Sequence, residues 1–425
     1  MKRRALAGLA AATALALLAW LLIDGLGLVI GSGQPGVPSA IYPVPQHIKD
    51  RVVADGDRLT GPIEPVEKVG PLSAVFLPGS GWAPVGISAD DGSYHLLDLG
   101  MGSKSLLSLR WSKEGHWLAL SPDGNRLASS WTDESHPDEP RHGLLLVDLQ
   151  AGTSRLVSTT GLIVRISWSP DSERLAWYAL EGTGKGDGYA KRSVGGMNWD
   201  GAPTSYPFWP SSPLENATPA TSRSDVMVTL TDRRLGRLRN SDYSFIRLRA
   251  PILGLGYTAA ESPDGKHVAF GSMLDAPGVV STSSGEVAPL RVPVADSHGH
   301  SQTFALGWLD DEHAVMVVRP PHDGRDASPP PAELVLVDAR HSSASDDGYR
   351  TIGTLPYYSA ESLTVATDLM TLDHPTVQHS KPDWPWSRTQ RSLAIIGTFA
   401  LLALALWLLR RAGRREQVAA TEQAG

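Results

Sequence analysis

A hairpin phrase recurs through the middle of this chain and constrains the fold more than any other feature. Three clear copies and one weaker copy are present: LALSPDGNRLASSW at 118–131, ISWSPDSERLAWYAL at 166–180, AAESPDGKHVAFGSM at 259–273 and the weaker ALGWLDDEHAVMVV at 305–318. Their turn aspartates are 48, 93 and 46 positions apart: Asp123, Asp171, Asp264 and Asp310. Since the middle interval holds two periods, the unit is about 47 residues long, within the range of propeller blades. The sequence therefore predicts an all-β fold of repeated blades.

Each clear copy carries the residues that reverse a chain. A proline presets the backbone at the first corner of the turn, and the aspartate after it can accept hydrogen bonds from backbone amides. Gly124 and Gly265 then permit a left-handed conformation, whereas the second copy carries Ser172 at this position. Short apolar runs with partial alternation flank the turns, as is typical of strands. Each copy is therefore predicted to form a hairpin.

A second phrase indicates how many hairpins a unit holds. It occurs as Leu-Leu-Asp-Leu at 96–99, Leu-Val-Asp-Leu at 146–149 and Leu-Val-Asp-Ala at 336–339, each time before a polar turn. With the turns between them, these phrases predict six four-stranded units centred on about 98, 148, 200, 241, 284 and 338. A six-bladed propeller is the prediction, and a seven-bladed one is the alternative, because 74–82 and 362–370 are also strand-like. We expect these two segments to pair, since a propeller must join its last blade to its first.

The hairpins carry a family resemblance. Ser-Pro-Asp-Gly followed by Arg-Leu-Ala at 126–128 or His-Val-Ala at 267–269 resembles the WD-like β-propeller repeats of TolB-type periplasmic proteins, over about 75–355. The resemblance implies a fold but no particular function, since similar propellers serve as docking platforms, sensors and gating domains of serine peptidases. The chain departs from the family pattern in the fourth unit and at Ser172. Arginine accounts for 29 of the 38 basic residues. This composition resembles that of proteins encoded by GC-rich bacterial genomes, such as those of actinobacteria.

Two apolar runs without charges flank the repeats, at 5–23 and 393–409. As helices, runs of 19 and 17 residues approach the roughly 30 Å hydrocarbon thickness of a bilayer. Basic residues before the first run and after the second orient both outer ends toward the cytoplasm. Both runs are predicted to be transmembrane helices, and a cleaved signal peptide is the alternative for the first.

These features predict an order of domains. It consists of a cytoplasmic N-terminus at 1–4, a transmembrane helix or signal peptide at 5–30, a linker at 31–70, an extracytoplasmic β-propeller at 71–373, a Pro-rich linker at 374–391, a transmembrane helix at 392–409 and a cytoplasmic tail at 410–425. We therefore expect a cell-membrane location, with the propeller outside the cytoplasm and both termini inside it.

The charge balance bears on possible partners. Between 25 and 387 the chain carries 29 Lys plus Arg against 42 Asp plus Glu, a net charge of −13. An acidic domain repels phosphate backbones, so nucleic acid is not expected as a partner unless a local basic patch provides a site. The densest basic run, Arg233, Arg234, Arg237 and Arg239, lacks interleaved aromatic residues and is interpreted as a solvated face.

Motifs of several enzyme and cofactor classes are missing from the sequence. No Gly-x-Ser-x-Gly elbow, His-Glu-x-x-His pair, EF-hand loop or phosphate-binding loop occurs, and the chain has no cysteine. We therefore predict no catalytic residue and no cofactor. His298 and His300 are weak candidates for metal ligands, because no carboxylate spacing completes their site. The Asp-rich corners Asp90-Asp91 and Asp310-Asp311 are interpreted first as turn formers and only second as cation ligands.

Aromatic residues divide into two groups. The first recurs near strand positions and is predicted to fill the spaces between blades: Trp111, Trp117, Trp131, Trp168, Trp177 and Trp308. The second lies in a less regular region and could be core or an exposed contact: Trp199, Tyr206, Phe208 and Trp209.

Insertions lengthen the units at 132–143, 181–192 and 320–333. In the strand order of the family they fall between the second and third strands and should emerge on one face. We interpret this face as a binding surface, with tolerated drift in exposed loops as the alternative. The leading hypothesis is a membrane-tethered, non-enzymatic protein-interaction or sensing scaffold with an unknown protein or cell-envelope partner. The alternatives are a hydrolase or lyase with its site at the central channel, and a small-ligand receptor.

Overall fold

The computed structural model describes most of the chain between 63 and 376. The residues left out of this range are 79–82, 91, 101–116, 134–140, 183–188, 209–217, 222–226, 240–241, 253–254, 274–275, 294–300, 323–328 and 341–347, and beyond it 396, 397, 403 and 407 are described. The chain divides into two compact units, and every described strand belongs to the one that contains Ile63–Asp383.

The described strands form a β-propeller of five four-stranded blades and one five-stranded closing sheet. The closing sheet has the order β1-β4-β3-β2-β25. Its strands are Ile63–Pro65 (β1), Leu72–Phe76 (β2), Val85–Ser88 (β3), Tyr94–Asp98 (β4) and Thr364–Val365 (β25). Within it, β1 pairs with β4 in parallel, and the remaining pairs are antiparallel.

Each four-stranded blade is an antiparallel meander named here by its strands. The β5–β8 blade contains Leu118–Leu120 (β5), Arg126–Asp133 (β6), Arg141–Asp148 (β7) and Thr153–Thr159 (β8). The β9–β12 blade contains Leu162–Trp168 (β9), Arg174–Gly182 (β10), Tyr189–Asn198 (β11) and Thr204–Phe208 (β12). The β13–β16 blade contains Thr218–Ala220 (β13), Met227–Leu230 (β14), Arg234–Arg239 (β15) and Asp242–Arg247 (β16).

Two further blades complete the ring. The β17–β20 blade contains Leu255–Glu261 (β17), His267–Ser272 (β18), Gly278–Ser281 (β19) and Val287–Pro289 (β20). The β21–β24 blade contains Gln302–Trp308 (β21), His313–Arg319 (β22), Ala332–Asp338 (β23) and Tyr349–Leu355 (β24). Three single-turn 3-10 helices are also described: Val66–Lys68, Tyr357–Ser359 and Thr367–Leu369.

The apolar residues of the strands pack between neighbouring sheets. One cluster joins the closing sheet to the β5–β8 and β9–β12 blades through residues such as Leu72, Leu127 and Val164. Another joins the β13–β16 and β17–β20 blades through Leu235 and Phe270. Because both faces of a blade bury apolar side chains against a neighbour, the strands carry long buried runs rather than a strict alternation.

The ring closes with the two segments that the sequence pairs. In β2, Ala74 and Val75 lie opposite Val365 and Thr364 of β25, so the C-terminal side of the chain supplies the inner strand of the first sheet. The Leu120 amide donates to the Thr364 hydroxyl across 2.9 Å and the Leu77 amide to the Ser362 hydroxyl across 2.8 Å. The prediction of this pairing is confirmed.

The insertions also fall where the sequence places them. The stretches 134–140, 183–188 and 320–331 each connect the second and third strands of a blade. In the β13–β16 blade the same connection is a tight turn at Thr231, Asp232 and Arg233, in which the Thr231 hydroxyl accepts hydrogen bonds from the backbone amides of the two arginines that follow Asp232.

The predicted fold class needs two corrections. Among the residues that the structure describes, no helix has the length and apolar character needed to cross a bilayer. This finding contradicts the flanking transmembrane helices and the cell-membrane location with cytoplasmic termini. The segment 5–30 lies outside the described residues, and of 392–409 only Ile396, Gly397, Ala403 and Trp407 are described, as exposed helical residues. The regular set of six four-stranded blades is also corrected, because one sheet has five strands.

Candidate functional site

The inner strands of all six sheets surround a central cavity of about 490 Å³. It is lined by the second half of each inner strand and by the turns that follow, with residues from β5, β9, β13, β17, β21 and β25. A single sheet contributes only one to seven of the lining residues, so the cavity exists because the ring is closed. It is the candidate binding site, since ligand sites in proteins are concave and combine apolar walls with a few polar groups.

The central cavity is the channel along the axis of the propeller, and the Ser-Pro-Asp hairpins form its rim. Hydrogen bonds within each turn hold these hairpins in place. In the β5–β8 blade, the Ser121 hydroxyl donates to Asp123 Oδ1 across 2.5 Å, and the same carboxylate oxygen accepts from the Asn125 amide across 3.0 Å. The Ser121 oxygen in turn accepts from the Arg126 amide across 2.9 Å. The aspartate therefore builds the turn, as the sequence predicts.

The same set of bonds is repeated in two other blades. Ser169 donates to Asp171, and Ser262 donates to Asp264, at 2.5 Å and 2.7 Å. Their hydroxyl oxygens accept from the Arg174 and His267 amides at 2.9 Å and 3.0 Å. The repeated serines and aspartates of the phrase are thus used to form the hairpins.

The serine that replaces glycine in the second copy keeps the left-handed backbone. The φ angle of Ser172 is 59°, against 75° for Gly124 and 71° for Gly265. Its hydroxyl accepts a hydrogen bond from the Asp123 amide across 3.1 Å, and its carbonyl accepts one from the Arg126 guanidinium across 2.6 Å. These bonds to the neighbouring blade offset the strain of a left-handed residue that has a Cβ atom.

Two tryptophans at the ends of inner strands tie adjacent blades together beside the cavity. Trp168 Nε1 donates to the Ala119 carbonyl across 3.0 Å, and Trp308 Nε1 donates to the Ala260 carbonyl across 2.8 Å. Both indoles are buried and line the channel. Most buried tryptophan N–H groups have a hydrogen-bond partner, and here the carbonyl of the preceding blade's inner strand provides it.

Glu261 occupies the position in the third copy that Trp168 has in the second. It lines the channel but is only 2% exposed, and its Oε1 lies 3.5 Å from Nη2 of Arg237 in the preceding blade. A buried carboxylate is costly unless it is paired, so this ion pair takes over the connection between blades. Glu261 was not predicted from the sequence, although its alignment with Trp168 directly before the Ser-Pro-Asp turn was a detectable signal.

Every ionisable residue that lines the described channel is acidic: Asp171, Glu261, Asp310, Asp311 and Asp368. Asp311 and Asp368 are exposed at the rim. Partial burial of Asp310 acts to raise its pKa, but hydrogen bonds from the Glu312 amide and from His313 outweigh it and lower the pKa below its ordinary value. The mouth therefore has a negative potential at neutral pH, which favours a cationic group.

The predicted metal and turn residues have separate outcomes. His298 and His300 lie outside the described residues. In the described part of the chain, no group of three or more His, Asp or Glu side chains is arranged to hold a metal ion. The Asp90 amide donates to the Ser88 hydroxyl across 3.1 Å in a turn, while Asp91 is not described.

The predicted packing of the first aromatic group is seen for the side chains that are described. Trp117, Trp168, Trp177 and Trp308 are buried, and Trp131 packs partly buried against a core cluster. From the second group, Trp199 is buried with its ring 5.6 Å from that of Trp168. Trp111, Trp209 and the side chains of Tyr206 and Phe208 lie outside the description.

The solved structures that are similar to this chain share little sequence with it, and their TM-scores are below 0.5. No protein-family model matches the chain, and no curated protein matches it. A TolB from Agrobacterium tumefaciens is 16% identical over 58% of this chain and 88% of its own, with a TM-score of 0.36. The β-propeller domain of the Trilobed protease from Pyrococcus furiosus is 11% identical over 64% and 76% of the two chains, with a TM-score of 0.39.

A peptidase is among the similar structures as well. The puromycin-hydrolysing peptidase of Mycobacterium tuberculosis is 18% identical over 70% of this chain, with a TM-score of 0.37, and the match spans 46% of that enzyme. The β-propeller fold of this chain is shown by its own sheets, and these proteins are similar solved structures. Neither membrane anchoring nor an actinobacterial origin follows from these likenesses, and at such identities no activity is transferred.

Proposed function

We propose that this chain is a non-enzymatic interaction or sensing scaffold that holds a positively charged segment of a partner protein at the mouth of its central channel. The observation that carries the proposal is the lining of the channel, where all five ionisable side chains are acidic. Opposite charges across an interface speed encounter and select against the wrong partners.

The geometry of the rim favours binding over catalysis. Catalytic acids and bases need a pKa near the working pH and a carboxyl group or imidazole that can reach the substrate. Asp171 is held by Ser169 and Arg174, and the pKa of Asp310 is lowered. Among the described lining residues there is no histidine to act with them. The hydrolase or lyase alternative therefore has less support than the scaffold.

A small-ligand receptor is the second candidate. The volume of about 490 Å³ lies within the range of roughly 300–1,000 Å³ that holds small molecules in proteins. Native mass spectrometry of the protein purified from its source cells distinguishes this function. A small molecule of constant mass that is retained by the wild type would support it.

The scaffold is tested by reversing charges at the rim. Asp311→Lys combined with Asp368→Lys places two positive charges where the exposed carboxylates stand. After crosslinking in the source cells, quantitative mass spectrometry should show that specific partners are lost from this variant. The matched control is Asp373→Lys, at an exposed aspartate outside the channel. Recovery of the same proteins with the rim variant and the wild type would contradict the proposal.

A further inference from the structure

The β13–β16 blade carries a basic surface on a chain whose net charge is −7. Arg234 of β15 and Arg247 of β16 are directly opposite each other in the register of the two strands. Phe245 lies opposite Gly236 on the same face, since residues two apart on a strand point to the same side. We call Arg234, Phe245 and Arg247 the arginine face.

The arginine face is open to solvent. Phe245 is 60% exposed, and both arginines are exposed. The guanidinium carbon of Arg234 lies 5.2 Å from the centre of the Phe245 ring, a cation–π contact that holds the two side chains together. The opposite face of the same strands carries the buried Leu235, so only one side of the sheet is used for packing here. The basic run is therefore joined to an aromatic residue that the sequence interpretation did not place beside it.

Within the described part of the chain, Arg234 and Arg247 differ from their neighbouring arginines in their acidic contacts. Arg233 lies 3.7 Å from Asp232, and Arg249 lies 4.0 Å from Glu286. For Arg234 and Arg247, by contrast, the described part of the chain supplies no acidic partner. Like charges directly opposite each other in a sheet are destabilising, and an anionic ligand placed between them would remove this repulsion.

The edge beside the arginine face is able to accept another strand. β16 is the outer strand of its blade. In the closing sheet, the corresponding outer strand β4 already pairs with a short extended segment, β1, through Ile63, Glu64 and Pro65. The outer edge of a blade in this protein thus accepts a fifth strand, and the strand that it accepts contains an acidic residue.

We propose that the arginine face and the edge of β16 bind an extended acidic segment of a partner protein as a fifth strand. Main-chain hydrogen bonds to β16 would align the segment, and its carboxylates would meet Arg234 and Arg247 while its apolar atoms contact Phe245. Only a peptide can continue the hydrogen-bond ladder of a sheet edge, which favours a peptide over a nucleic acid. The overall negative charge of the chain further disfavours a phosphate backbone. This site is independent of the channel mouth.

The probe is a fluorescent ten-residue peptide in which Glu and Thr alternate, so that all carboxylates lie on one face of the strand. Fluorescence anisotropy with the full chain measures its affinity. We expect Arg234→Gln with Arg247→Gln to weaken binding at least tenfold, and Phe245→Ala to weaken it several-fold. The matched control is Arg340→Gln, an exposed arginine of the β21–β24 blade that pairs with Glu312 and should leave the affinity unchanged. Circular dichroism checks that each variant is folded.

A second peptide separates strand addition from simple charge attraction. The same sequence with alternate backbone nitrogens methylated keeps its charge but cannot pair with β16, and we expect it to bind at least tenfold more weakly. Three results would overturn the proposal: no binding of the unmodified peptide, equal binding of the methylated one, or tighter binding of a thymidine oligonucleotide of equal charge. An equal loss of peptide affinity in Arg340→Gln and in the double variant would overturn the proposal as well.

Discussion

Two connections within the blades differ in how their polar residues are used. In three blades the connection between the first and second strands is the Ser-Pro-Asp hairpin, whose serine and aspartate are hydrogen-bonded within the turn. The connection between the second and third strands is long in three blades. In the β13–β16 blade it is the short turn that leads into Arg234. The Ser-Pro-Asp hairpin keeps the same bonds in each of the three blades that contain it, whereas the second connection differs in length among the blades.

The difference shows where binding residues are to be sought in a repeat protein. Residues that recur in every copy form turns and join blades, so their polar atoms are already engaged. Residues that interrupt the pattern are candidates for function. Examples are Glu261, which stands at a tryptophan position, and Arg234 and Arg247, which lie opposite each other on neighbouring strands. We expect the recurring residues to be structural, and substitutions at three of them measure how much they stabilise the fold.

The largest effect is expected at the glycine of the first hairpin. Gly124 has a φ of +75°, and a Cβ atom there would lie 2.4 Å from the carbonyl oxygen of Leu72 in the closing sheet. We expect Gly124→Ala to reduce the free energy of unfolding by about 2–4 kcal/mol, because it adds a clash to the strain of a left-handed residue. Urea unfolding followed by tryptophan fluorescence measures the loss.

Gly100→Ala is the matched control for this change. Gly100 also has a positive φ, +65°, but nothing lies within 4 Å of a Cβ atom built there. Its substitution should cost only about 1 kcal/mol, the strain alone. If both variants lost the same stability, the hairpin glycine would have no special part in joining the closing sheet to the β5–β8 blade.

A smaller effect is expected from the tryptophan bonds between blades. Trp168→Phe removes the donor to the Ala119 carbonyl and leaves that buried acceptor without its partner. Trp177→Phe makes the same change in a buried indole whose Nε1 has no hydrogen-bond partner among the described residues. The loss in unfolding free energy should therefore be about 1–3 kcal/mol greater for Trp168→Phe. Equal losses of unfolding free energy would show that this bond contributes nothing to the contact between the β5–β8 and β9–β12 blades.

The smallest effect concerns pH. Partial burial acts to raise the pKa of Asp264, but hydrogen bonds from Lys266 and Ser262 outweigh it and lower the pKa to about 2. A carboxyl with a lowered folded-state pKa stabilises the fold above its unfolded value of 3.8, and this stability is lost as the pH falls toward 2. Between pH 5 and about 2, the melting temperature of Asp264→Asn should fall less than that of the wild type. If the melting temperatures of the two proteins fell equally with pH, the lowered pKa of Asp264 would be contradicted.

Local sequence patterns predicted the hairpins well, because the turn bonds join residues within five positions of one another, as between Ser121 and Arg126. The closure of the ring was also predictable, since 74–82 and 362–370 were the strand-like segments left over from the repeat. The phrase at 96–99 was misleading. Asp98 accepts from the Gly100 amide just as Asp148 accepts from the Ala151 amide. Counted outward from the central channel, however, β4 is the fourth strand of its sheet and β7 is the third.

The features that were missed depend on register between distant strands. A turn motif indicates that a strand ends but not which place the strand takes in a sheet. The parallel pairing of β1 with β4 joins residues over thirty positions apart. Likewise, the contact between Arg234 and Phe245 exists because β15 and β16 place Gly236 opposite the ring, which leaves room for the arginine to lie over it.

Closure of the ring by the pairing of β25 with β2 can be tested with an introduced disulfide. The chain has no cysteine of its own, so Ala74→Cys with Val365→Cys creates one defined pair at directly opposed positions. Opposed residues in antiparallel strands lie about 4.5–5.5 Å apart at Cα, within disulfide range. If β25 closes the ring on β2, we expect a rapid intramolecular bond on mild oxidation, seen as faster migration on a non-reducing gel. We expect none for Val75→Cys with Val365→Cys, whose side chains point to opposite faces. No bond in the first variant, or equal bonding in both, would contradict this pairing of β25 with β2.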